Sequence, residues 1–552
     1  MNPAQLLAHF DRISEAPDAI PRLRRFILDL AVRGKLVEQD PNDEPAGELL
    51  KRIKEKKTKR IKAGEIRSPR VIEWTDSIEQ LFPVVNSWAW VRLADVGAIV
   101  GGGTPQSNDA DNFTDGGTGI AWLTPTDLGK HNELYVSHGS RDITQKGLKS
   151  SSATLMPKDS VLFTSRAPIG YTAIAANEIT TNQGFKSVIP YITECSRYIA
   201  LYLKAFGPWI DSKASGTTFR EVSGKIVSGL PIPLPPLAEQ HRIVAKVDEL
   251  MALCDQLEAA KKERESQRDR LIAASLHRLN SSDDADASRE NARFYLNHLP
   301  RLTTRLEHIK QLRQTIFNLA VRGRLVPQDP NDEPIRNLRD IYQIDVESFY
   351  QLPSNWQWRT MQELADLVTD GEHATPTRIS ERQVPLITAK NVRDGMMDYA
   401  ITDWVSYETA EKAWRRCQPL VGDILLVCVG ATTGRLCVLR EPKDMVLVRS
   451  VTLIRPSKIV NVNFLALVIR SPLGQGQIWS SVKATAQPCL YINRTNALVI
   501  PLPPLAEQHR IVAKVDELMT LCDQLETQLT TTQTDNHRLL EAVLHQALAE
   551  NP

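Results

Sequence analysis

Hydroxyl, amide and charged side chains that could bind a polyanion lie in polar loops between apolar runs, in two separate parts of the chain. The candidates in the first part are Thr124, Thr126, Asp127, Arg166, Lys213, Ser215, Thr217 and Thr218. The candidates in the second part are Thr375, Lys390, Asn391, Thr432, Thr433, Arg435, Lys483, Thr485 and Gln487. Such groups can hydrogen-bond to the base edges or the phosphates of DNA. Each of them also suits an ordinary turn, so they are chosen by chemistry and location alone.

The sequence lacks the catalytic motifs for which we searched. Leu-Pro-Pro-Leu at 234–237 lacks the Asp or Asn that opens an adenine-methylation motif. The chain has no G-x-x-x-x-G-K-[ST] phosphate loop, no H-E-x-x-H zinc motif and no G-x-S-x-G nucleophile turn. The run Gly101-Gly102-Gly103 is typical of a loop, and His241 and His509 are typical of helix surfaces. We therefore expect a binding protein without a catalytic site of its own.

Composition sets broad limits on the class of protein. The chain has 552 residues, of which 42% are apolar, enough for three or four domains. No apolar run could span a bilayer, and the first residues do not resemble a signal peptide. Seven scattered cysteines indicate a reduced, cytoplasmic location without disulfides or a zinc site. A net charge of +1 neither indicates nor excludes a DNA partner.

Long internal repeats are the most informative feature of the sequence. IPLPPLAEQHRIVAKVDELMALCDQLE at 232–258 recurs at 500–526 with one difference, Ala252 for Thr520. LAVRGKLVEQDPNDEP at 30–45 recurs at 319–334 with two differences. The pairs Trp88-Ala-Trp90 and Trp356-Gln-Trp358 are separated by 268 residues, like the long blocks, whereas the LAVRG blocks are separated by 289. These repeated blocks form a duplicated frame.

The two inserts between the frame blocks, 86–235 and 354–503, have equal length but have diverged. WLTPTDLGKHNELY in the first insert has only a faint echo in LITAKNVRDGMMDY in the second. We interpret the frame as doing one task twice and the inserts as doing two different tasks. A recent exchange between the frame copies without functional meaning is the alternative.

Periodicity indicates helices in the frame and mixed α/β structure in the inserts. Spacings of 4, 3, 4 and 3 place Ile243, Val247, Leu250, Cys254 and Leu257 on an a/d seam, which recurs from Ile511 to Leu529. Each seam helix follows Pro-Leu-Pro-Pro and is expected to run to about Leu279 or Leu548, either as a core stripe or as one of two paired rods. Shorter helices at 20–37 and 308–326 are expected to end at Gly34 and Gly323. Short apolar runs such as SVLFTS and DILLVCVG predict strands.

A basic tract distinguishes the first half of the chain. Residues 51–70 contain ten basic and two acidic residues. The tract is typical of a solvated helix or linker, and it could also contact phosphates or an acidic partner surface.

The whole pattern resembles the specificity subunit of type I restriction–modification systems. Two divergent inserts alternate with near-identical helical frames, and each insert ends in I-P-L-P-P-L-A-E-Q before a long helix. The resemblance covers nearly the whole chain and implies an α+β fold with two target-recognition domains, long antiparallel coiled-coil helices and a pseudo-twofold repeat. The expected domains are an N-terminal frame 1–85, recognition domains 86–236 and 354–504, a central frame 237–353 and a C-terminal helix 505–552.

The resemblance also implies the partners and a division of labour. Each recognition domain would read one half of a bipartite site in double-stranded DNA, and the helices would set the gap. The frame would dock two modification subunits that methylate adenine with S-adenosylmethionine, and restriction subunits using ATP and Mg²⁺ would join them. This chain would hold no cofactor, and one helical turn inserted after Glu258 would lengthen the tolerated gap. A coiled-coil scaffold without sequence preference and a degenerate enzyme are the alternatives.

Overall fold

The computed structural model describes residues 10–64, 77–131, 133–166, 168–215, 220–281, 285–335, 349–482 and 488–549. These residues belong to two compact units. The first unit comprises Met1–Glu263 and Gln533–Pro552, and the second comprises Arg264–Thr532. Each unit contains one insert together with parts of the frame.

Helices make up most of the frame and cover the sheets of the inserts. In chain order they are α1 Phe10–Ser14, α2 Ala19–Val32, α3 Ala46–Lys62, α4 Leu93–Val96, α5 Pro125–Lys130, α6 Gln145–Lys149, α7 Ser196–Ser212, α8 Gly224–Gly229, α9 Leu237–Ser281, α10 Ala285–Leu302, α11 Leu306–Val321, α12 Met361–Leu364, α13 Tyr407–Trp414, α14 Val462–Arg470, α15 Pro472–Ser481, α16 Ile492–Asn496 and α17 Leu505–Ala549. Helices α9 and α17 begin directly after the Pro-Pro pairs, as predicted, and each has 45 residues. At about 1.5 Å per residue each helix is about 67 Å long, and the two helices end close to the predicted Leu279 and Leu548.

The strands fall into matching sets in the two inserts. The first insert contains β1 Ala89–Arg92, β2 Gly97–Gly101, β3 Phe113–Asp115, β4 Trp122–Leu123, β5 Tyr135–Val136, β6 Arg141–Ile143, β7 Val161–Phe163, β8 Thr172–Ala175, β9 Thr180–Thr181, β10 Lys186–Pro190 and β11 Pro231–Leu234. The second contains β12 Gln357–Thr360, β13 Ala365–Asp370, β14 Val384–Ile387, β15 Val392–Arg393, β16 Met396–Met397, β17 Asp403–Val405, β18 Ile424–Val427, β19 Leu436–Val438, β20 Val446–Leu447, β21 Val451–Pro456 and β22 Val499–Leu502.

The sheet topology shows that the two inserts share one fold despite their divergent sequences. The first insert has the strand order β2-β10-β7-β8-β5, and the second has the corresponding order β13-β21-β18-β19. The parallel pair β4 and β9 corresponds to the parallel pair β14 and β20. In each insert the first and last strands pair antiparallel, β1 with β11 and β12 with β22, which brings both ends of the insert to the frame. Two repeated domains of mixed helices and sheets, with the long helix α9 between them, therefore make up the fold.

The duplicated sequence blocks meet in a buried polar network at the start of α9. Glu239 is 1% exposed, and its carboxylate accepts hydrogen bonds from Trp88 Nε1 at 3.0 Å and Gln39 Nε2 at 2.6 Å. Arg242, one turn later, forms a bidentate ion pair with Asp43 at 3.1 and 2.6 Å. Burial raises the pKa of Glu239 above 4.5, although the hydrogen bonds from Gln39 and Trp88 oppose this effect. Three sequence blocks are thereby joined at one point.

The second unit repeats this network with the second copy of each block. Glu507 accepts from Trp356 Nε1 at 3.1 Å and from Gln328 Nε2 at 2.7 Å. Arg510 pairs with Asp332 at 2.9 and 2.6 Å. Because a buried carboxylate needs these donors, folding of each unit accounts for the identity of the residues in this network.

The glycines at the ends of α2 and α11 have the backbone conformation that the sequence predicted. Gly34 has φ +71° and Gly323 has φ +68°, in the left-handed region that favours glycine after a helix. A Cβ atom at either position would lie 3.1 Å from a ring carbon of Trp88 or Trp356. Both the turn and the close approach of the tryptophan ring therefore require glycine.

Helix α11 runs beside both long helices in the second unit, and its contacts give their directions. His308 near its start contacts Asp269 of α9 at 2.9 Å, and Asn318 near its end donates to Asn280 at 2.8 Å, so these helices run parallel. Contacts with α17 come in the opposite order: Arg313 of α11 contacts Glu526 at 2.7 Å, and Gln328, in the segment that follows α11, contacts Glu507 at 2.7 Å. The segments of α9 and α17 in this unit are therefore antiparallel.

The first unit has the same arrangement around α2. Contacts with α9 run in opposite order: Arg24 of α2 contacts Glu258 at 2.7 Å, and Gln39, in the segment that follows α2, contacts Glu239 at 2.6 Å. Contacts with α17 run in the same order: Asp18 at the N-cap of α2 to His537 at 3.2 Å, then Arg22 to Glu541 at 3.0 Å. The antiparallel relation that the resemblance implied thus holds for the segments within each unit.

The predicted a/d seam is buried in the core of each unit rather than forming a separate two-helix zipper. Ile243, Val247 and Cys254 lie in one cluster with residues of α2 and of the first insert. Ile511, Val515 and Cys522 do the same with α11 and the second insert. Leu257, at the end of the first seam, is 42% exposed. The core-stripe alternative therefore describes the buried part of the seam.

Candidate nucleic-acid interface

One end of each central sheet carries the polar loops. In the first insert, the strands reach this end at Gly101, Phe163, Thr172 and Lys186. In the second insert, the equivalent positions are Asp370, Val427, Leu436 and Val451. We call these the loop ends of the two inserts. At the opposite end of each sheet, α4 connects β2 to β1 and α12 connects β13 to β12, the strands at which each insert joins the frame.

A capped turn containing Thr124 and Asp127 lies at the first loop end. The backbone N–H and the hydroxyl of Thr124 both donate to Asp127 Oδ2, at 2.9 and 2.6 Å. The other carboxylate oxygen accepts from Ser140 N at 3.0 Å. Burial acts to raise the pKa of Asp127, but hydrogen bonds from Ser140 and Thr124 outweigh it and lower the pKa below 3.8. Thr126 projects from this turn and is exposed.

The second loop end contains the same turn with an amide in place of the carboxylate. Thr388 donates from its N–H and hydroxyl to Asn391 Oδ1, at 2.9 and 3.0 Å. Asn391 is fully buried, and its Nδ2 donates to Asp398, Ile401 and Thr402. The weak similarity between TPTD at 124–127 and TAKN at 388–391 therefore reflects a turn that both inserts share. Asn391 positions the turn, whereas its exposed neighbour Lys390 pairs with Asp403 at 3.1 Å.

A charged cluster gathers three parts of the chain at the first loop end. Arg166 and Ser215 each form a backbone bridge with Glu221. The Glu221 carboxylate lies 3.7 Å from Arg166 Nη1 and 3.2 Å from Lys186 Nζ. Lys213 is exposed, and its Nζ lies 4.9 Å from the centre of the Trp209 ring. Two cations sharing one carboxylate leave a net positive charge.

The equivalent positions in the second insert carry no charge. Val222 N donates to Ser165 O at 2.9 Å, and Leu490 N donates to Cys428 O at 2.8 Å, which aligns the two loops. Val429 and Cys489 form the bridge that Arg166 and Glu221 form in the first insert. Thr452 occupies the strand position of Lys186 and is fully buried. The same backbone thus presents different chemistry at the two loop ends.

The remaining candidates of the second insert lie in two loops at its loop end. Thr432, Thr433 and Arg435 lie in the connection between β18 and β19. Thr433 is buried and donates to Gly430 O at 2.7 Å, Thr432 is half-buried, and Arg435 is exposed. Thr375 lies in the loop after β13 and is exposed.

Five candidates fall outside the described residues, and several surface residues were not predicted. The five are Thr217, Thr218, Lys483, Thr485 and Gln487. Lys186 and Glu221 were missed because each is one charged residue within an apolar or mixed stretch. Lys204 and Arg220 were also missed, although they line a groove beside Arg166. Only the fold brings these residues together.

The described residues offer no alternative site for metal or membrane chemistry. No group of three or more His, Cys, Asp or Glu residues in the described ranges could hold a metal ion. No helix among those residues combines the length and apolar character needed to cross a bilayer.

Comparisons of the sequence with known proteins point to one family. The family described as Type I restriction modification DNA specificity domain matches twice, at residues 86–265 and 353–532. The specificity subunits of the type I restriction enzymes EcoEI and EcoAI of Escherichia coli are each 26% identical, covering 96% of this chain and 94% of each relative. The HsdS subunit of Thermoanaerobacter tengcongensis is 18% identical, with a TM-score of 0.45, covering 86% of this chain and 100% of that one.

The two family matches each contain one insert and the first part of the helix that follows it. Together they span more than half of the chain. The chain therefore belongs to the type I restriction modification DNA specificity family, and its role is that of a DNA sequence-specificity subunit.

Proposed function

We propose that each insert reads one half of a bipartite DNA site through its loop end. The observation that carries this proposal is that the two loop ends share a backbone but differ in the groups they present. Arg166 of the first insert can donate two hydrogen bonds to a guanine edge, whereas Val429 at the equivalent place offers an apolar surface. Different side chains on one scaffold suit two different half-sites.

The proposed DNA contacts are the candidates with accessible polar groups. In the described residues these are Thr126, Arg166, Lys213, Ser215, Thr375, Lys390, Thr432 and Arg435. Thr217, Thr218, Lys483, Thr485 and Gln487 remain predictions from the sequence. Thr124, Asp127, Asn391 and Thr433 act in this proposal by fixing the turns that carry these contacts.

We further propose that the duplicated frame docks two modification subunits in the same way. The exposed faces of 237–258 and 505–526 carry nearly the same residues, as two equal docking places require. S-adenosylmethionine would bind the modification subunits, and ATP and Mg²⁺ would bind restriction subunits that join the complex. The absence of methylation and phosphate-loop motifs from the sequence supports a non-catalytic role for this chain, and its seven free cysteines support a cytoplasmic location.

Exchange of the inserts tests the proposal with sequences that the chain itself provides. We expect a chimera carrying 354–503 in place of 86–235 to direct methylation to a site built from two copies of the second half-site. The reciprocal chimera, with 86–235 at both places, should use two copies of the first half-site. Sequencing methylated adenines in cells that express each chimera measures both outcomes. Methylation of the original site by either chimera would contradict the proposal.

A further inference from the structure

Helix α3 has a basic sequence that has no equivalent in the second half of the chain. It has eight basic and two acidic residues. It lies in the stretch between the LAVRG block and the tryptophan pair, which is 21 residues longer in the first half of the chain than in the second. The repeated tasks of the frame therefore do not account for it.

One face of α3 is fixed to the first insert. Leu49 and Ile53 are buried in the core of the first unit, at 0% and 1% exposed. Arg60 Nη1 donates to Pro190 O at 2.7 Å, and Lys57 Nζ lies 5.1 Å from the centre of the Tyr191 ring. The helix is therefore held in a defined position.

The outer face of α3 carries a net positive charge, because its exposed lysines outnumber the exposed Glu55 that lies among them. Lys54, Lys56, Lys59 and Lys62 are exposed, and none of them forms an ion pair with another described residue. Lys51 and Arg52 are exposed too, but they pair with Glu48 and Glu44 at 2.7 Å. A compact set of unpaired lysines is available for a negatively charged partner.

The position of α3 favours a protein partner over DNA. Pro190 ends β10, whereas Lys186 at the start of the same strand lies at the loop end. DNA bound at the loop end therefore lies at the opposite end of the sheet from α3. The cleft beside α3 is lined by Lys56, Lys59, Thr193 and Glu194.

The same region adjoins the proposed docking surface of the frame. Thr193 and Glu194 also line a groove with Gln240, His241 and Asp248 of α9. Arg197, just after them, pairs with Asp248 at 2.6 Å. A subunit docked on the first turns of α9 would therefore lie next to the basic face of α3.

We propose that the basic outer face of α3 binds an acidic surface of the modification subunit that docks on the first unit. This inference rests on the proposed function. Because the basic sequence of α3 occurs once, the two docking places differ: the first has an added electrostatic contact, and the second lacks it. The first docking place is therefore occupied at a lower concentration of modification subunit than the second. This difference in affinity decreases as salt screens the charges.

The test uses the full chain carrying Lys54→Gln, Lys56→Gln and Lys59→Gln together. The matched control is Lys149→Gln, Lys158→Gln and Lys412→Gln, which removes three exposed lysines elsewhere. Native mass spectrometry of a titration with the modification subunit resolves the complexes with one and with two bound subunits. We expect the α3 variant to weaken one of the two binding steps by about tenfold at low salt, with the other step and the affinity of the complex for DNA unchanged.

The possible outcomes separate this inference from the function on which it rests. If the α3 variant left both binding steps of the modification subunit unchanged, or weakened both equally, the proposed role of α3 would be overturned and the proposed function would stand. Loss of DNA affinity with docking intact would overturn it in favour of phosphate contacts. A wild-type chain that binds no modification subunit would instead contradict the proposed function itself.

Discussion

Replacement of Trp88 by alanine is expected to destabilise the first unit by about 3–5 kcal/mol. The ring is 6% exposed and packs edge-to-face on Tyr198 at 6.3 Å. Its Nε1 donates to the buried Glu239 carboxylate, which would lose one of its donors. The variant therefore leaves a large cavity and a buried Glu239 carboxylate that has lost a hydrogen-bond donor. Hydrogen exchange, read by mass spectrometry for peptides of each unit, measures the loss of protection.

Two further variants separate the causes. Trp88→Phe keeps most of the packing and removes only the donor, so we expect a smaller loss of about 1–3 kcal/mol. Trp356→Ala removes the equivalent ring and should destabilise the second unit, since Trp356 donates to Glu507 at 3.1 Å. If the first unit of Trp88→Ala were as protected from hydrogen exchange as that of the wild type, the claim that the buried network holds the three sequence blocks together would be wrong.

Insertion of seven residues into both long helices is expected to lengthen the gap between the half-sites by about three base pairs. Seven residues add about 10.5 Å of helix, and one base pair occupies about 3.4 Å. The insertions belong after Glu263 and after Thr532, where each helix passes from the residues of one unit to those of the other. Seven residues also preserve the heptad phase. Methylation assays on duplexes with gaps of varied length give the readout.

The structure explains why Glu258 is a poor place for this insertion and why one helix is insufficient. Glu258 pairs with Arg24 at 2.7 Å, and Lys261 Nζ donates to Ser14 O and Ala16 O within the first unit. Leu540 of α17 is buried among residues of α1 and α2. An insertion in α9 alone should therefore disrupt recognition. If the chain with both insertions kept the original gap, the helices would not set the distance between the half-sites.

Much of the architecture was predictable because the chain contains two copies of itself. The Pro-Pro pairs fixed the starts of α9 and α17, and Gly34 and Gly323 marked helix ends through a conformation that other residues rarely adopt. The apolar runs around Leu162 and Leu425 correctly indicated strands. Local signals of this kind need no knowledge of distant contacts.

The contacts that join distant segments were not predictable. Glu239 stands 151 residues from Trp88 and 200 from Gln39, and periodicity contains no information about such pairs. Sequence identity between the copies marked these residues without showing that they meet. Asn391 was chosen as a polar loop residue, but its side chain is buried and hydrogen-bonds within its own turn. Side-chain accessibility depends on tertiary packing.

Mapping methylated adenines across a genome, with and without this chain, tests the central claim most directly. Two unlike loop ends held by one frame predict a two-part motif with a constant gap, methylated only when the chain is present together with its modification subunits. Methylation at sites without such a split motif would contradict the account. So would methyl transfer by the purified chain alone.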